Sequence, residues 1–197
     1  MSVAPLPSKL AGVILAGGKS SRMGTDKRFM DNHGTSAVHF LFRLLRDAGL
    51  EVATSCRLTD GLPDDLHPVF DPEEIKGPMA GIIAGLKAFP GSAVLAVAVD
   101  MPGIGPEDIR LLIHERDHTK RATCYFNSSS GQPEPLLTIW EPECLQDLTD
   151  QSKKGDFSPM NFLQSASLKT IPSKNPDLFV NLNTPEDLKR WRQGRQP

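Results

Sequence analysis

The residues with the most obvious chemistry lie in one stretch, Leu15-Ala16-Gly17-Gly18-Lys19-Ser20-Ser21-Arg22-Met23-Gly24-Thr25-Asp26-Lys27. Paired glycines let a chain turn with positive φ and let a ligand come close to the backbone. Successive N–H groups in such a loop form an anion-binding concavity. Arg22 offers a bidentate contact to a phosphate and Lys27 a compact charge. An ordinary glycine turn with solvated bases has the same composition. Two acids join the set. Asp100 ends an apolar run at Asp100-Met101-Pro102, and Asp71 precedes Pro72. A polyphosphate calls for charge neutralisation, usually by Mg²⁺, which takes only one or two protein carboxylates. Asp100 is the candidate metal ligand; its plainer role is to cap the turn before Pro102. Asp71 either contacts a nucleoside or starts its turn. The five histidines show no metal-binding spacing, and no Ser-His-Asp arrangement stands out.

These residues need elements to position them. Residues 11–15 are apolar and read as a buried strand feeding the glycine loop. Residues 36–48 carry Val38, Leu41, Phe42, Leu45 and Ala48 on one helical face. Strands are predicted at 51–55, 67–70 and 93–99, and helices at 79–89 and 106–115, with Pro78 favourable in a first turn. The run 93–99 is apolar on both faces, which belongs in the middle of a parallel sheet. Later elements are less regular: strands at 121–126 and 136–140, helices at 141–148 and 158–166, and extended pieces at 168–171 and 178–180. Thr184-Pro185-Glu186-Asp187 opens a last helix. Alternating strands and helices predict a three-layer α/β fold with a mainly parallel sheet and right-handed crossovers. Ligands sit beyond the carboxyl ends of such strands. The glycine loop, Asp71 and Asp100 all fall there.

The 197 residues fit a single domain, 1–197, with residues 1–9 as a loose tail. A net charge of -2 excludes a strongly basic nucleic-acid binder but leaves room for a locally positive site. Three dispersed cysteines, Cys56, Cys124 and Cys144, argue for a reducing compartment and read as small buried apolar residues. No apolar run is long enough to span a bilayer. The expectation is a cytoplasmic protein with no membrane or nucleic-acid partner.

Taken in order, the motifs resemble those of the MobA-like nucleotidyltransferases. Leu15-Ala16-Gly17-Gly18 through Lys27 resembles the family's signature loop. Gly77-Pro78-Met79-Ala80-Gly81 is similar to its Gly-Pro-Leu-Ala-Gly segment, and Val99-Asp100-Met101-Pro102 to its Asp-x-Pro metal site. Asn181-Leu182-Asn183-Thr184-Pro185-Glu186-Asp187-Leu188 resembles its C-terminal Asn-x-Asn-Thr-Pro-Glu-Asp-Leu. The resemblance implies a Rossmann-like nucleotidyltransferase fold. It implies that Leu15, Gly17, Gly18, Lys27, Asp71, Gly77 and Asp100 bind the nucleotide, and that Arg22, Lys27 and Asp100 are catalytic. Asp100 would hold Mg²⁺, and Asn181 and Asn183 would face the acceptor. The implied reaction is attack by a phosphate of molybdopterin on the α-phosphate of GTP, with pyrophosphate leaving.

Two departures leave base and acceptor open. The family often carries an Asn-x-Asn pair after the second strand, where this chain has Thr54-Ser55-Cys56. It often shows His-Pro in a later loop, where this chain has Gln132-Pro133-Glu134-Pro135. Transfer from CTP is a rival, although those relatives tend to have Leu-Ala-Ala-Gly, so Gly17 favours GTP. Another phosphorylated acceptor, or a non-catalytic nucleotide-binding module, is a further alternative.

Overall fold

Strand β1 (Leu10–Leu15) is the axis of the fold, and five of its six residues are buried. A strand buried on both faces needs a hydrogen-bonded neighbour on each edge and a helix on each face. Its neighbours are β4 (Glu51–Cys56) and β6 (Ala93–Ala98), both parallel to it. The computed structural model describes residues 9–17, 31–32, 35–182, 187, 190 and 191. Lys9, expected in the tail, already joins the sheet: its carbonyl accepts from the Ala93 N–H at 2.8 Å.

The sheet has seven strands in the order β5-β4-β1-β6-β8-β7-β9. The others are β5 (Pro68–Phe70), β7 (Ala122–Asn127), β8 (Gln132–Trp140) and β9 (Leu168–Pro172). Only β8 opposes the rest, antiparallel to both β6 and β7, so the mainly parallel sheet expected from the alternation is present. A two-residue ladder, β2 (Asp31–Asn32) with β3 (Thr35–Ser36), lies outside this sheet.

Successive residues of β1 point to opposite faces. On one face Gly12 receives Leu45 of α1 (Ala37–Asp47). On the other, Val13 lies against Gly85 of α2 (Pro78–Ala88). That alternation makes three layers. Helix α1 starts where Ser36 accepts from the His39 N–H, the cap expected of Ser before an apolar stripe. Helix α2 starts with Pro78 and buries eight of its eleven residues. All six residues of β6 are buried, and each large aliphatic one there contributes roughly 2 kcal/mol. Helices α3 (Pro106–His114), α4 (Cys144–Lys153) and α5 (Pro159–Ser165) complete the described α-helices, apart from helical positions at 187, 190 and 191, and two short 3-10 turns lie at Leu58–Asp60 and Asp64–Leu66. None of the helices among the described residues is long and apolar enough to cross a membrane. The three cysteines are buried as expected, and burial pushes the Cys124 and Cys144 thiols up to about 12.

Three elements differ from the sequence reading. Strand β8 starts at Gln132, not 136, despite Pro133 and Pro135. Residues 132–133 pair with β7 alone, past a register shift at Cys124/Phe126, while β6 is joined only from Leu137 onward. A proline's missing N–H is tolerated where one side of the strand has no partner. Helix α4 begins at Cys144 instead of 141 because the Glu141 N–H donates to the Arg121 carbonyl and stays with the sheet. Residues 178–180 form no strand. They belong to a turn in which the Asn175 side chain accepts from the Asp177 N–H at 3.0 Å, and the apolar Leu178 points into the core.

Candidate active site

Because β1, β4, β5 and β6 run parallel, their carboxyl ends share one edge. Strand order reverses at β1, whose sequence-successive neighbours leave first on one side and then on the other. The crevice beside that reversal is where open α/β sheets place ligands. Gly17 follows β1, Asp71 follows β5 and Asp100 follows β6. Loops distant in sequence therefore converge, as the spacing predicted.

Asp71 and Gly17 touch. A Cβ added to Gly17 would lie 2.3 Å from Asp71 Oδ2, so only glycine admits the carboxylate there. The main chain around them is fixed by sheet-type bonds: the Asp71 N–H donates to the Cys56 carbonyl and the Ala16 N–H to the Ser55 carbonyl, both at 2.9 Å. On the other side, Ser55 Oγ donates to Asp71 Oδ1 at 2.5 Å. Burial raises the Asp71 carboxyl above the usual carboxylate range. The Ser55 hydrogen bond opposes this, Asp60 adds to it and Arg57 opposes it.

Asp71 and Gly17 line a cavity of about 510 Å³. Its walls include Arg57 and Leu58 after β4, Phe70, Ile75 and Lys76. Leu58 is 68% and Phe70 53% exposed, an unusual pair of open apolar side chains beside a carboxylate. Gly77 lines the same cavity and caps α2 with φ 68° and ψ -160°, a conformation reserved for glycine.

Asp100 occupies the other side of β1. The Val99 N–H donates to the Leu15 carbonyl at 3.4 Å, and the Leu182 N–H donates to the Asp100 carbonyl at 2.9 Å. The second bond brings Asn181 and Leu182 onto the Asp100 turn. Asn181 Oδ1 is buried and, among the described residues, lacks a hydrogen-bond partner. Asn175 secures the docking from below: its Nδ2 donates to the Gly103 carbonyl at 2.8 Å and to Asp108 Oδ2 at 2.9 Å. Glu134 faces this corner too. Burial raises its carboxyl above the usual range, the Leu136 N–H opposes that, and Asp100 pushes it further up. No group of three or more His, Cys, Asp or Glu gathers to hold a metal among the described residues.

The structure thus brings Leu15, Gly17, Asp71, Gly77, Asp100 and Asn181 to one edge. Gly18, Arg22, Lys27 and Asn183 lie outside the described residues. Sequence reasoning passed over Arg57, Leu58 and Phe70, and met Ser55 only within Thr54-Ser55-Cys56, the departure from the family's asparagine pair.

A reversed-order parallel sheet with a glycine turn and two carboxylates at its carboxyl edge defines the class, a Rossmann-like α/β domain of the nucleotidyltransferase kind. The family is more particular. The family model of the MobA-like NTP transferase domain matches residues 12–170, and the chain belongs to that family. It is 34% identical over 181 residues to a molybdenum cofactor biosynthesis bifunctional protein of Synechocystis sp., covering 90% of this chain but only 52% of that protein. The chain therefore spans about half the length of that relative. It is 31% identical over 193 residues to a molybdenum cofactor guanylyltransferase of Syntrophotalea carbinolica, covering 93% and 90% of the two chains. Among solved structures, molybdopterin-guanine dinucleotide biosynthesis protein A of Archaeoglobus fulgidus superposes with a TM-score of 0.75 at 24% identity, covering 93% of this chain and 97% of that one.

Proposed function

We propose that this chain transfers GMP from GTP to the phosphate of molybdopterin, releasing pyrophosphate. The observation that carries the reading is the convergence of the Gly17–Asp71 cavity and the Asp100–Asn181 corner on either side of β1. The names of the guanylyltransferase relatives support the choice of substrates. The base would enter the cavity beside Asp71 and Gly77, with Leu15, Gly17 and Gly18 along the nucleotide. Lys27 and Arg22 would hold the phosphates. Asn181 and Asn183 would face the acceptor.

Such a reaction asks little covalent chemistry of the protein; alignment of nucleophile and α-phosphate and neutralisation of developing charge carry it. A divalent cation, proposed as Mg²⁺, fits the corner, because a carboxylate and the buried Asn181 Oδ1, which lacks a partner among the described residues, are hard oxygen donors of the kind it prefers. Asp100 would hold it, with Asn181 Oδ1 beside it, and it would supply positive charge for the phosphates.

The test is to incubate the protein with Mg²⁺ and each NTP, with and without molybdopterin, and to measure pyrophosphate. Release only with GTP and molybdopterin together is expected. Release only with CTP would sink the guanylyl reading, and tight GTP binding without release under any condition would leave a binding module. Glu134 stands where the family often carries the histidine of a His-Pro pair, which leaves one second reading, a different phosphorylated acceptor. Release with GTP and a sugar phosphate, but not with molybdopterin, would establish it.

A further inference from the structure

The Ser55–Asp71 hydrogen bond is built with unusual care for a contact at a strand end. Ser55 is only 1% exposed, so its hydroxyl has no water to turn to. It lies in β4 opposite Leu15 of β1, and its donor is spent on Asp71 Oδ1, sixteen residues on, at 2.5 Å. Both flanks are cleared by glycine. A Cβ on Gly81 would fall 2.3 Å from Ser55 Oγ, and a Cβ on Gly17 would fall 2.3 Å from Asp71 Oδ2. Two glycines from separate segments thus make room for one side-chain pair. With Oδ1 held by the hydroxyl, the carboxylate cannot rotate freely. Its remaining acceptor capacity lies at the wall of the cavity that Phe70 and Leu58 line. A fixed carboxylate next to apolar surface matches a flat heterocycle with two adjacent N–H donors. Among the nucleobases that pattern belongs to guanine, through its N1–H and exocyclic amine.

We propose that Ser55 is a positioning residue for base selection: its hydroxyl fixes the Asp71 carboxylate so that it reads the N–H edge of guanine. This rests on the guanylyl-transfer reading above and adds to it the residue that sets the preference. The main-chain bonds of Ser55 hold the loop whatever its side chain. Removing the hydroxyl therefore leaves the fold of the edge in place and frees only the carboxylate. Because a charge-assisted hydrogen bond aligned in the pocket is lost, GTP affinity is expected to fall roughly tenfold. ATP has no N1–H and no 2-amino group, so its affinity is expected to stay within about twofold.

The experiment measures dissociation constants of GTP, ITP, ATP and CTP by calorimetry for the wild type, Ser55→Ala, Asp71→Ala and the double variant. Ser55→Ala should lower the GTP-to-ATP preference roughly tenfold, with ITP, which keeps N1–H but lacks the amine, affected less. The double variant should bind GTP no more weakly than Asp71→Ala, because Ser55 acts only through Asp71. Unchanged ATP binding doubles as the check that Ser55→Ala is folded. An equal loss for ATP and GTP would assign the carboxylate to the ribose hydroxyls that both share and overturn the proposal. So would additive losses in the double variant, or a GTP preference that survives Ser55→Ala. A wild type that binds CTP most tightly overturns the guanylyl reading and the guanine edge together. A wild type that prefers GTP but is indifferent to Ser55→Ala removes only the role of Ser55.

Discussion

Two half-buried or buried carboxylates, on opposite halves of the sheet, are held in contrasting ways. On the β8-β7-β9 side, Glu141 receives both Nε and Nη2 of Arg116 at 2.7 Å, with 2% and 11% of the two side chains exposed. On the β5-β4-β1 side, Asp71 has among the described residues a single neutral hydroxyl partner and faces a cavity. A bidentate ion pair satisfies a carboxylate and closes its surroundings. A carboxylate with one hydroxyl partner keeps acceptor capacity and pays for it in desolvation, which is why its titration is displaced upward. The first arrangement serves the fold; the second leaves acceptor capacity at the wall of the cavity. Asp108 is held in the first way, accepting from both Gly105 N–H and Asn175 Nδ2.

Mutations can break this comparison. The largest effect is expected at Asp100. In Asp100→Ala, pyrophosphate release should drop about 10³-fold, while the melting temperature changes little. Near-normal turnover would remove Asp100 from the reaction. Arg116→Met should do the reverse. It strands Glu141 in the interior and should cost about 3–5 kcal/mol of stability, read by urea unfolding, with GTP affinity unaltered. A loss below about 1 kcal/mol would mean that the pair is not the closed contact described.

The smallest expected effect concerns Asp71 and depends on pH. Its carboxyl titrates higher in the folded chain than in the unfolded one. The folded protein therefore binds the proton more tightly. That contribution to stability is present below the unfolded value, near pH 4, and is lost as pH rises through the raised folded value. At pH 7 the ionised group weighs against the fold. Asp71→Asn should then melt roughly 2 °C higher than the wild type at pH 7 without nucleotide, a gain that disappears near pH 4. GTP affinity should fall in the same variant. A lower melting temperature at pH 7 would show that the carboxylate supports the fold, contrary to the comparison.

Much of the architecture could be read from periodicity. The apolar runs that became β1 and β6, the amphipathic stripe of α1 and the proline start of α2 carry their structure locally, because alternation and 3.6-residue spacing are properties of short segments. The misread elements are those whose local signal is overruled by a distant partner. Glu141 looks like the start of a helix, but its N–H belongs to Arg121 and its carboxylate to Arg116. Pro133 and Pro135 look like strand breakers, but their segment has a partner on one side only. Leu178, Phe179 and Val180 look extended, but the Asn175 turn folds them back with Leu178 inward.

The site divides along the same line. The sequence by itself pointed to the class of chemistry, through the motifs that carry Gly17, Gly18, Arg22, Lys27, Asp71 and Asp100, and strand alternation predicted that the loops after the parallel strands share one edge. Only the tertiary structure decided which of these groups meet. The pairing of β4 with β5 sets Ser55 against Asp71, Gly17 and Gly81 leave the space for that contact, and a backbone bond from Leu182 brings Asn181 to Asp100. The reason is that a side chain's partner depends on strand order and register, and those are set by burial summed over the whole sheet, not by any segment in it.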